Sequence, residues 1–333
     1  MTVRQAPRRI LIPILTGLGN CVMLTPLIET LRKEFPSAAI LLFTNGRWNV
    51  QDLFKTHPGV ETTFTIPKEI DLILSPRIAS TLPFIAKAKA MNPSAQIIAH
   101  DFKRDERVRI VKNMSLRLMG ASIVPLRLEH ETLQNLSLLR PLAVQERAWI
   151  LQPKIFPTSP VPQAGIIVQP GAANATPTPK RWPEAKWSVL ITALLKAGEK
   201  VTMVGDSSEF ALGERIAHES GSTLLVNLCG KTSIPELVNR VAGAKALIAG
   251  DSGIGHLAGA LGIPVFTLWG PTSWTRSRPM GDKIVKISLE LPCSPCTGEP
   301  GLPGEIDALA RCPIQNRCMV ELSVNSVLER VQS

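Results

Sequence analysis

Short apolar runs recur along the chain, each closed by a glycine or proline turn and most followed by a stretch with apolar residues every three or four positions. Arg9 to Leu15 (RILIPIL) reads as a first strand and Thr16 to Asn20 as its turn. Thr25 to Phe35 then reads as a helix, with Pro26 in its first turn, Leu27, Ile28 and Leu31 on its apolar side and Pro36 beyond its end. Further strands are expected at Ala39 to Thr44, Asp71 to Ser75 and Gln96 to Asp101, with helical patterns between and after them. This alternation predicts an α/β fold with a mostly parallel sheet covered on both faces.

The rhythm breaks at Leu151 to Ala164 (LQPKIFPTSPVPQA), whose four prolines and lack of periodicity mark a linker. It then restarts. Strands are expected at Gly165 to Gln169, Lys200 to Gly205 and Thr223 to Leu228, and helices at Ala185 to Ala197, Ser208 to His218 and Pro235 to Ala244. A last helix around Val324 to Val331 presents Val324, Val327, Leu328 and Val331 to one of the domains. The expected division is a first Rossmann-like domain over 1–152, a Pro-rich linker over 153–164 and a second over 165–333. Two doubly wound halves would face each other across a cleft lined by the carboxyl ends of their strands, where such sheets bind ligands.

The stretch Ala246 to Thr272, ALIAGDSGIGHLAGALGIPVFTLWGPT, carries the densest signal. A buried strand ends at Gly250-Asp251 and a helix opens at Ser252-Gly253, with Leu257, Leu261 and small alanines suited to close packing. Free N–H groups at such a helix start favour an anion, most simply a phosphate. A carboxylate there would repel phosphate, so Asp251 suits the hydroxyls of a neighbouring sugar, and His256 brackets the turn from the other side. Read alone, the same residues also describe an ordinary strand, helix and strand with Ser252 as a cap.

The chain has 333 residues, enough for two domains with cores of their own, and its 44% hydrophobic and 19% charged content is that of a globular protein. No run of about 18 apolar residues is present. The basic N-terminus resembles a signal peptide, but Pro13 interrupts the apolar run and no small-residue cleavage site follows, which favours a buried strand in a cytoplasmic protein. Lys and Arg exceed Asp and Glu by 37 − 27 = 10. The bases are dispersed, as in RVRIVKNMSLRLMG (Arg107 to Gly120), aromatics are few and Tyr is absent, so nucleic acid is disfavoured relative to a membrane surface or a phosphate-rich acceptor.

Of six cysteines, Cys21 and Cys229 are solitary and read as small core residues. Cys293, Cys296, Cys312 and Cys318 form C-x2-C-x15-C-x5-C in a proline-rich loop over 293–318. A structural zinc site, two disulfides and free thiols are the three readings of that spacing.

Three more turns carry chemistry. In Thr16-Gly17-Leu18-Gly19-Asn20 the glycines resemble a dinucleotide fingerprint, but Val22 replaces the third glycine and Thr44-Asn45 supplies no ribose-binding acid, which argues against hydride transfer. Gly165 to Trp182 (GIIVQPGAANATPTPKRW) places Lys180 and Arg181 beyond a strand's carboxyl end, where they could neutralise a diphosphate or stand as two solvated bases. In Val204-Gly205-Asp206-Ser207-Ser208-Glu209, Glu209 suits either two ribose hydroxyls or the first turn of its own helix.

Taken in order, the N-terminal glycine turn, PGA…KRWP, VGDSSE, GDSGIGHLAGALGIPVFTLWGPT and a Cys-rich tail ending CM resemble glycosyltransferase family 9, the ADP-heptose:lipopolysaccharide heptosyltransferases. The resemblance implies a GT-B architecture, an acceptor-binding first domain and a nucleotide-sugar-binding second, and inverting transfer with no cofactor or catalytic metal, at the cytoplasmic side of an inner membrane. By matching motif it implies a donor site of Gly171, Lys180, Arg181, Gly205, Glu209, Thr232, Asp251, Ser252, Gly253 and His256, with Lys180 at the diphosphate, Glu209 at the ribose and Thr232 near the adenine. The acceptor side is Gly17, Gly19 and Asn20. The partners implied are an ADP-heptose donor, a lipid-linked glycan acceptor and a peripheral membrane surface.

One position departs from the family. Asn20 stands where the family usually has an Asp that takes the acceptor's proton, and an amide is no general base at neutral pH. Asp101, closing a first-domain strand, is the expected substitute. Two rivals remain, a nucleotide-sugar epimerase and a sugar-nucleotide-binding homologue without turnover. Release of an altered sugar nucleotide from donor alone would mark the first, and donor binding with neither transfer nor hydrolysis the second.

Overall fold

The computed structural model describes residues 6–46, 49–76, 81–101, 106–162, 165–171, 179–296 and 312–332. The chain divides into two units, Met1–Phe156 and Pro157–Ser333.

Unit 1 carries strands β1 (Arg9–Pro13), β2 (Ala39–Phe43), β3 (Val60–Thr63), β4 (Leu72–Ser75), β5 (Gln96–His100) and β6 (Ser122–Val124), in the order β3-β2-β1-β4-β5-β6. Every pairing is parallel, with Ile10 opposite Ile40 on one side and Leu72 on the other. Helices α1 (Leu18–Glu34), α2 (Leu82–Met91), α3 (Glu106–Leu118) and α4 (Glu131–Ser137) connect and cover the sheet. Leu11, Leu41, Ile73 and Ile97 meet Phe84, Ile85 and Leu116 in one buried cluster, the packing that a strand buried on both faces requires.

The first helix differs from its sequence expectation. It begins at Leu18, seven residues before Thr25, so Pro26 lies in its interior and not in its first turn. A proline there leaves the carbonyl four residues earlier, that of Val22, without its helical donor. Thr25 Oγ1 takes that place, donating to Val22 O at 2.8 Å. The same oxygen accepts from Lys154 N at 3.0 Å, which fastens the C-terminal segment of the unit to the helix.

Unit 2 carries β7 (Ile166–Gln169), β8 (Val201–Met203), β9 (Leu225–Asn227), β10 (Ala246–Gly250), β11 (Val265–Leu268) and β12 (Ile284–Ile287), in the order β12-β11-β10-β7-β8-β9, again all parallel. Read from the other edge, the order is that of unit 1, strand for strand. The helices are α5 (Glu184–Lys196), α6 (Phe210–Ser220), α7 (Ile234–Ala242), α8 (Gly253–Ala260), α9 (Trp274–Ser277), α10 (Arg317–Val320) and α11 (Val324–Gln332). Helix α11 packs through Val324, Val327 and Leu328 into a core built on Trp187, Leu190, Ile191 and Leu194 of α5. Gly259 lets α8 approach closely, since a Cβ there would fall 2.5 Å from Met280 O.

Strands β3, β6 and β12 escape the sequence pattern. All three are edge strands of three or four residues, VETT, SIV and IVKI, and an edge needs neither length nor an unbroken apolar run. Two doubly wound, Rossmann-like units are the architecture that the sequence implies.

Candidate nucleotide-sugar site

In a doubly wound sheet the strand order reverses beside the first strand, and the loops leaving the carboxyl ends there are splayed apart to admit a ligand. In unit 2 that point is the β7–β10 pair, with β8 next to β7. The loops after these three strands hold most of the sequence-predicted donor residues: Gly171, Lys180 and Arg181 after β7, Gly205 and Glu209 after β8, and Asp251, Ser252, Gly253 and His256 after β10.

Asp251 directly follows β10 and precedes α8. Lys180 Nζ lies 3.0 Å from Asp251 Oδ2, and both side chains are largely buried. Two observations concern the helix start itself. Ser252 occupies the N-cap in an extended conformation, yet its side chain caps no N–H, and no acidic residue lies in the first turn. Its Oγ is buried without a hydrogen-bond partner among the described residues. The α8 start therefore presents backbone donors and an unused hydroxyl beside a lysine, the donor set an oxyanion uses. His256 lies one turn into the same helix and is buried.

Lys180 is held in place by its chain neighbours. The backbone of Lys180 packs over Gly250, where a Cβ would sit 3.6 Å from Lys180 O. Trp182 is buried, donates from Nε1 to Leu322 O at 2.9 Å and meets the Trp187 ring edge-on at 5.1 Å. With Trp182 fixed, Lys180 reaches Asp251 while the charge of Arg181 acts on Glu209.

Glu209 is 2% exposed. Its Oε2 accepts from Asp206 N at 2.8 Å, while Asp206 Oδ1 accepts from Ser208 N at 2.8 Å, a reciprocal capping box at the short 3-10 turn Ser207–Glu209. The carboxylate is wedged between two glycines. A Cβ on Gly171 would fall 1.7 Å from Oε1, and one on Gly205 2.2 Å from Oε2. Burial pushes the Glu209 carboxyl above the ordinary range, with the Asp206 N–H, the Gln169 amide and Arg181 each easing it back in part. Helix capping is thus one role of this acid. Its place between the β7 and β8 loops leaves it at the ligand edge as well.

Thr232 lies in the loop after β9, next to Ser233, which caps α7 in a second capping box with Glu236. Gly230 brings this loop against the β8 loop: its φ is +69°, its N–H donates to Gly205 O at 2.9 Å, and a Cβ would strike Ser207 Cα at 2.8 Å. Sequence reading missed Gly230 and the buried Gln169. A glycine opening the turn Gly230-Lys231-Thr232 was the available signal for the first; a lone Gln ending an apolar strand gave little for the second.

In unit 1, Gly17 is the N-cap of α1, extended at φ −77° and ψ 173°, and a Cβ added there meets nothing within 4 Å. Gly19 and Asn20 already belong to the first helical turn. Asn20 Nδ2 donates to Thr16 Oγ1 at 2.7 Å, which fixes the amide with its oxygen turned away from Thr16. Asp101 follows β5, and its Oδ1 accepts from Asn113 Nδ2 of α3 at 2.5 Å. Asn20 and Asp101 thus leave β1 and β5, two strands separated by β4.

All six cysteines are free thiols. Burial pushes Cys21 and Cys229 up to about 12, as inert core residues should be. Burial first, and then the neighbouring Cys296, Cys312 and Cys293, push Cys318 up to about 11. Among the described residues no group of three or more His, Cys, Asp or Glu side chains is arranged to hold a metal ion. Pro300 and Pro303 of the same loop lie outside the described residues.

Comparison with known proteins follows the same division. The family model described as "Glycosyltransferase family 9 (heptosyltransferase)" matches residues 143–304, the span that holds every donor-site residue named above. Over that span the chain belongs to glycosyltransferase family 9. A family relative, lipooligosaccharide heptosyltransferase 2 of Campylobacter jejuni, is 24% identical over 98% of both chains. Lipooligosaccharide heptosyltransferase 2 of Haemophilus influenzae is 35% identical over 113 residues, and that match spans about a third of its length. Among solved structures, an E. coli heptosyltransferase with ADP superposes with a TM-score of 0.70 at 15% identity, over 97% of this chain and 99% of the other, so the two share the GT-B fold.

Proposed function

We propose that this chain is an inverting glycosyltransferase that moves heptose from ADP-heptose onto a lipid-linked inner-core glycan of lipopolysaccharide at the cytoplasmic face of the inner membrane. The observation that carries the reading is the Lys180–Asp251 pair at the uncapped start of α8, with Ser252 Oγ unused beside it. A diphosphate entering there would take Lys180 and the α8 N–H groups as its partners. Asp251, losing its cation, would turn to the sugar hydroxyls. Arg181 and Glu209 would serve the nucleotide end, Glu209 through the ribose hydroxyls and Thr232 near the base. ADP as the nucleotide is supported by the family relationship and by the fold-mate solved with ADP.

Transfer requires the acceptor hydroxyl to lose a proton as it attacks the anomeric carbon and the bond to the diphosphate breaks, inverting that carbon. Cationic and N–H donors fixed where the leaving charge develops supply most of the barrier reduction. No metal or other cofactor is assigned a step. Gly17, Gly19 and Asn20 form the acceptor side in this reading. Asn20 cannot take the proton, and Asp101 is assigned that role as the carboxylate closing β5.

A thermal-shift panel of ADP-, UDP-, GDP- and CMP-sugars tests the donor assignment, because a ligand binding only the folded form raises its midpoint in proportion to occupancy. ADP-heptose should give the largest rise. A rise with UDP-sugars alone would refute the donor. Conversion of donor to a free epimer without acceptor would replace transfer by epimerisation.

A further inference from the structure

Helix α3 presents an apolar stripe to solvent. Ile110, Val111, Met114 and Leu118 are each more than half exposed, Leu118 at 83%. They supply four of the fourteen exposed large hydrophobics of the described residues within nine positions, so the exposure is concentrated and not the scatter that any surface shows. At about 100° per residue, the four positions fall within an arc of about 100° along the helix. Leu116, on the opposite side, is fully buried and anchors the helix in the unit 1 core. The apolar side is therefore the outward one.

Charge selects the occupant. Arg117 is the exposed base of the described part of the helix, in a chain of net charge +10. Arg117 lies at the border of the apolar arc. A second copy of this chain, itself strongly basic, would be repelled. An anionic lipid surface meets both features, taking the apolar side chains at the headgroup boundary and pairing a phosphate with Arg117.

We propose that α3 docks this protein on anionic bilayers, its Ile110, Val111, Met114 and Leu118 face entering the interface and Arg117 at its border pairing with a headgroup. The same helix carries Asn113, which donates to Asp101, so docking would set the carboxyl end of β5 close to the lipid surface. The inference is drawn from exposure and charge and does not depend on the transferase reading.

Co-sedimentation of the full chain with vesicles of phosphatidylcholine alone, and of phosphatidylcholine and phosphatidylglycerol at about 3:1, tests it without donor or acceptor. The wild type should pellet with the anionic vesicles and much less with the neutral ones, and 0.5 M salt, at roughly a 4 Å Debye length, should weaken the binding. The triple variant Ile110→Ser, Met114→Ser, Leu118→Ser should lose at least about tenfold in affinity with an unchanged unfolding midpoint, since these side chains are exposed. Arg117→Gln should lose less. The proposal is overturned if wild type ignores anionic vesicles, if the triple variant binds like wild type, or if the variant only converts a dimer to a monomer by sedimentation velocity.

Discussion

The two units repeat one strand order, so β1 corresponds to β7, β4 to β10 and β5 to β11. Their ligand edges nevertheless differ. After β7, Gly171 has no room for a Cβ because a buried carboxylate fills the space, and the neighbouring loops are bound into a Lys180–Asp251 pair and a capping box. After β1, a Cβ on Gly17 meets nothing within 4 Å, and the Asn20 amide in the following turn is tied to Thr16. The comparison teaches that one scaffold can carry a pre-organised charged site and an open turn. A small leaving group of fixed charge suits the first, and a large acceptor entering from outside suits the second.

Breaking the charged edge should have the largest effect. Lys180→Ala should lower the transfer rate by about 10²–10³-fold, the loss typical of removing one donor to a developing oxyanion, with a much smaller change in unfolding midpoint. If Asp101 is the base, Asp101→Asn should reduce turnover comparably while leaving donor binding unchanged. Unchanged turnover would end that assignment. A packing contrast comes next. Gly171→Ala should destabilise unit 2 by about 1–3 kcal/mol in urea unfolding, because the added methyl overlaps the Glu209 carboxylate. Gly17→Ala should cost less than about 1 kcal/mol, since nothing lies within 4 Å. Equal costs would erase the distinction between the two turns.

The smallest effect is in pH, and it carries opposite signs. Burial holds His57 of unit 1 below its usual 6.5, with Glu29 at 3.5 Å pulling the other way. The unfolded chain then binds the extra proton, so this stability is present above about 6.5 and lost as pH falls toward the folded value. Glu209 in unit 2 is raised above 4.5, so the folded state holds the extra proton. Its contribution is full below 4.5 and is lost as pH rises through the folded value. Urea unfolding from pH 4 to 8 should therefore show His57→Gln flattening the loss of stability on the acid side and Glu209→Gln flattening the loss as pH rises above 4.5. The same sign for both would contradict these burial effects.

Much of the fold was legible because central strands bury both faces and so read as unbroken apolar runs, as in Ile10–Ile12 or Leu247–Ala249. Three of the four edge strands were not, because segments such as VETT and IVKI need only one neighbour, whereas β9 was read at Thr223 to Leu228. Pro26 misled for a local reason: its usual place is a first turn, and only Thr25 supplying the missing donor at Val22 lets the helix run through it. In the site, the helix start at Ser252-Gly253 and the lysine were visible as residue types in order. The two were expected to meet at one diphosphate, but the Lys180–Asp251 ion pair was not, since these residues lie 71 positions apart and the β7–β10 register brings them together. The double use of Glu209 was visible as two alternatives, and the capping box shows one of them to be real.

The central claim is that Lys180 and the start of α8 hold the second phosphate of a nucleoside diphosphate. Calorimetric titration of wild type and Lys180→Ala with ADP and with AMP tests it most directly. The variant should bind ADP at least about thirtyfold more weakly, equivalent to about 2 kcal/mol, while AMP affinity changes by less than about threefold. Equal ADP affinity in the two proteins, or an equal loss for ADP and AMP, would contradict the account.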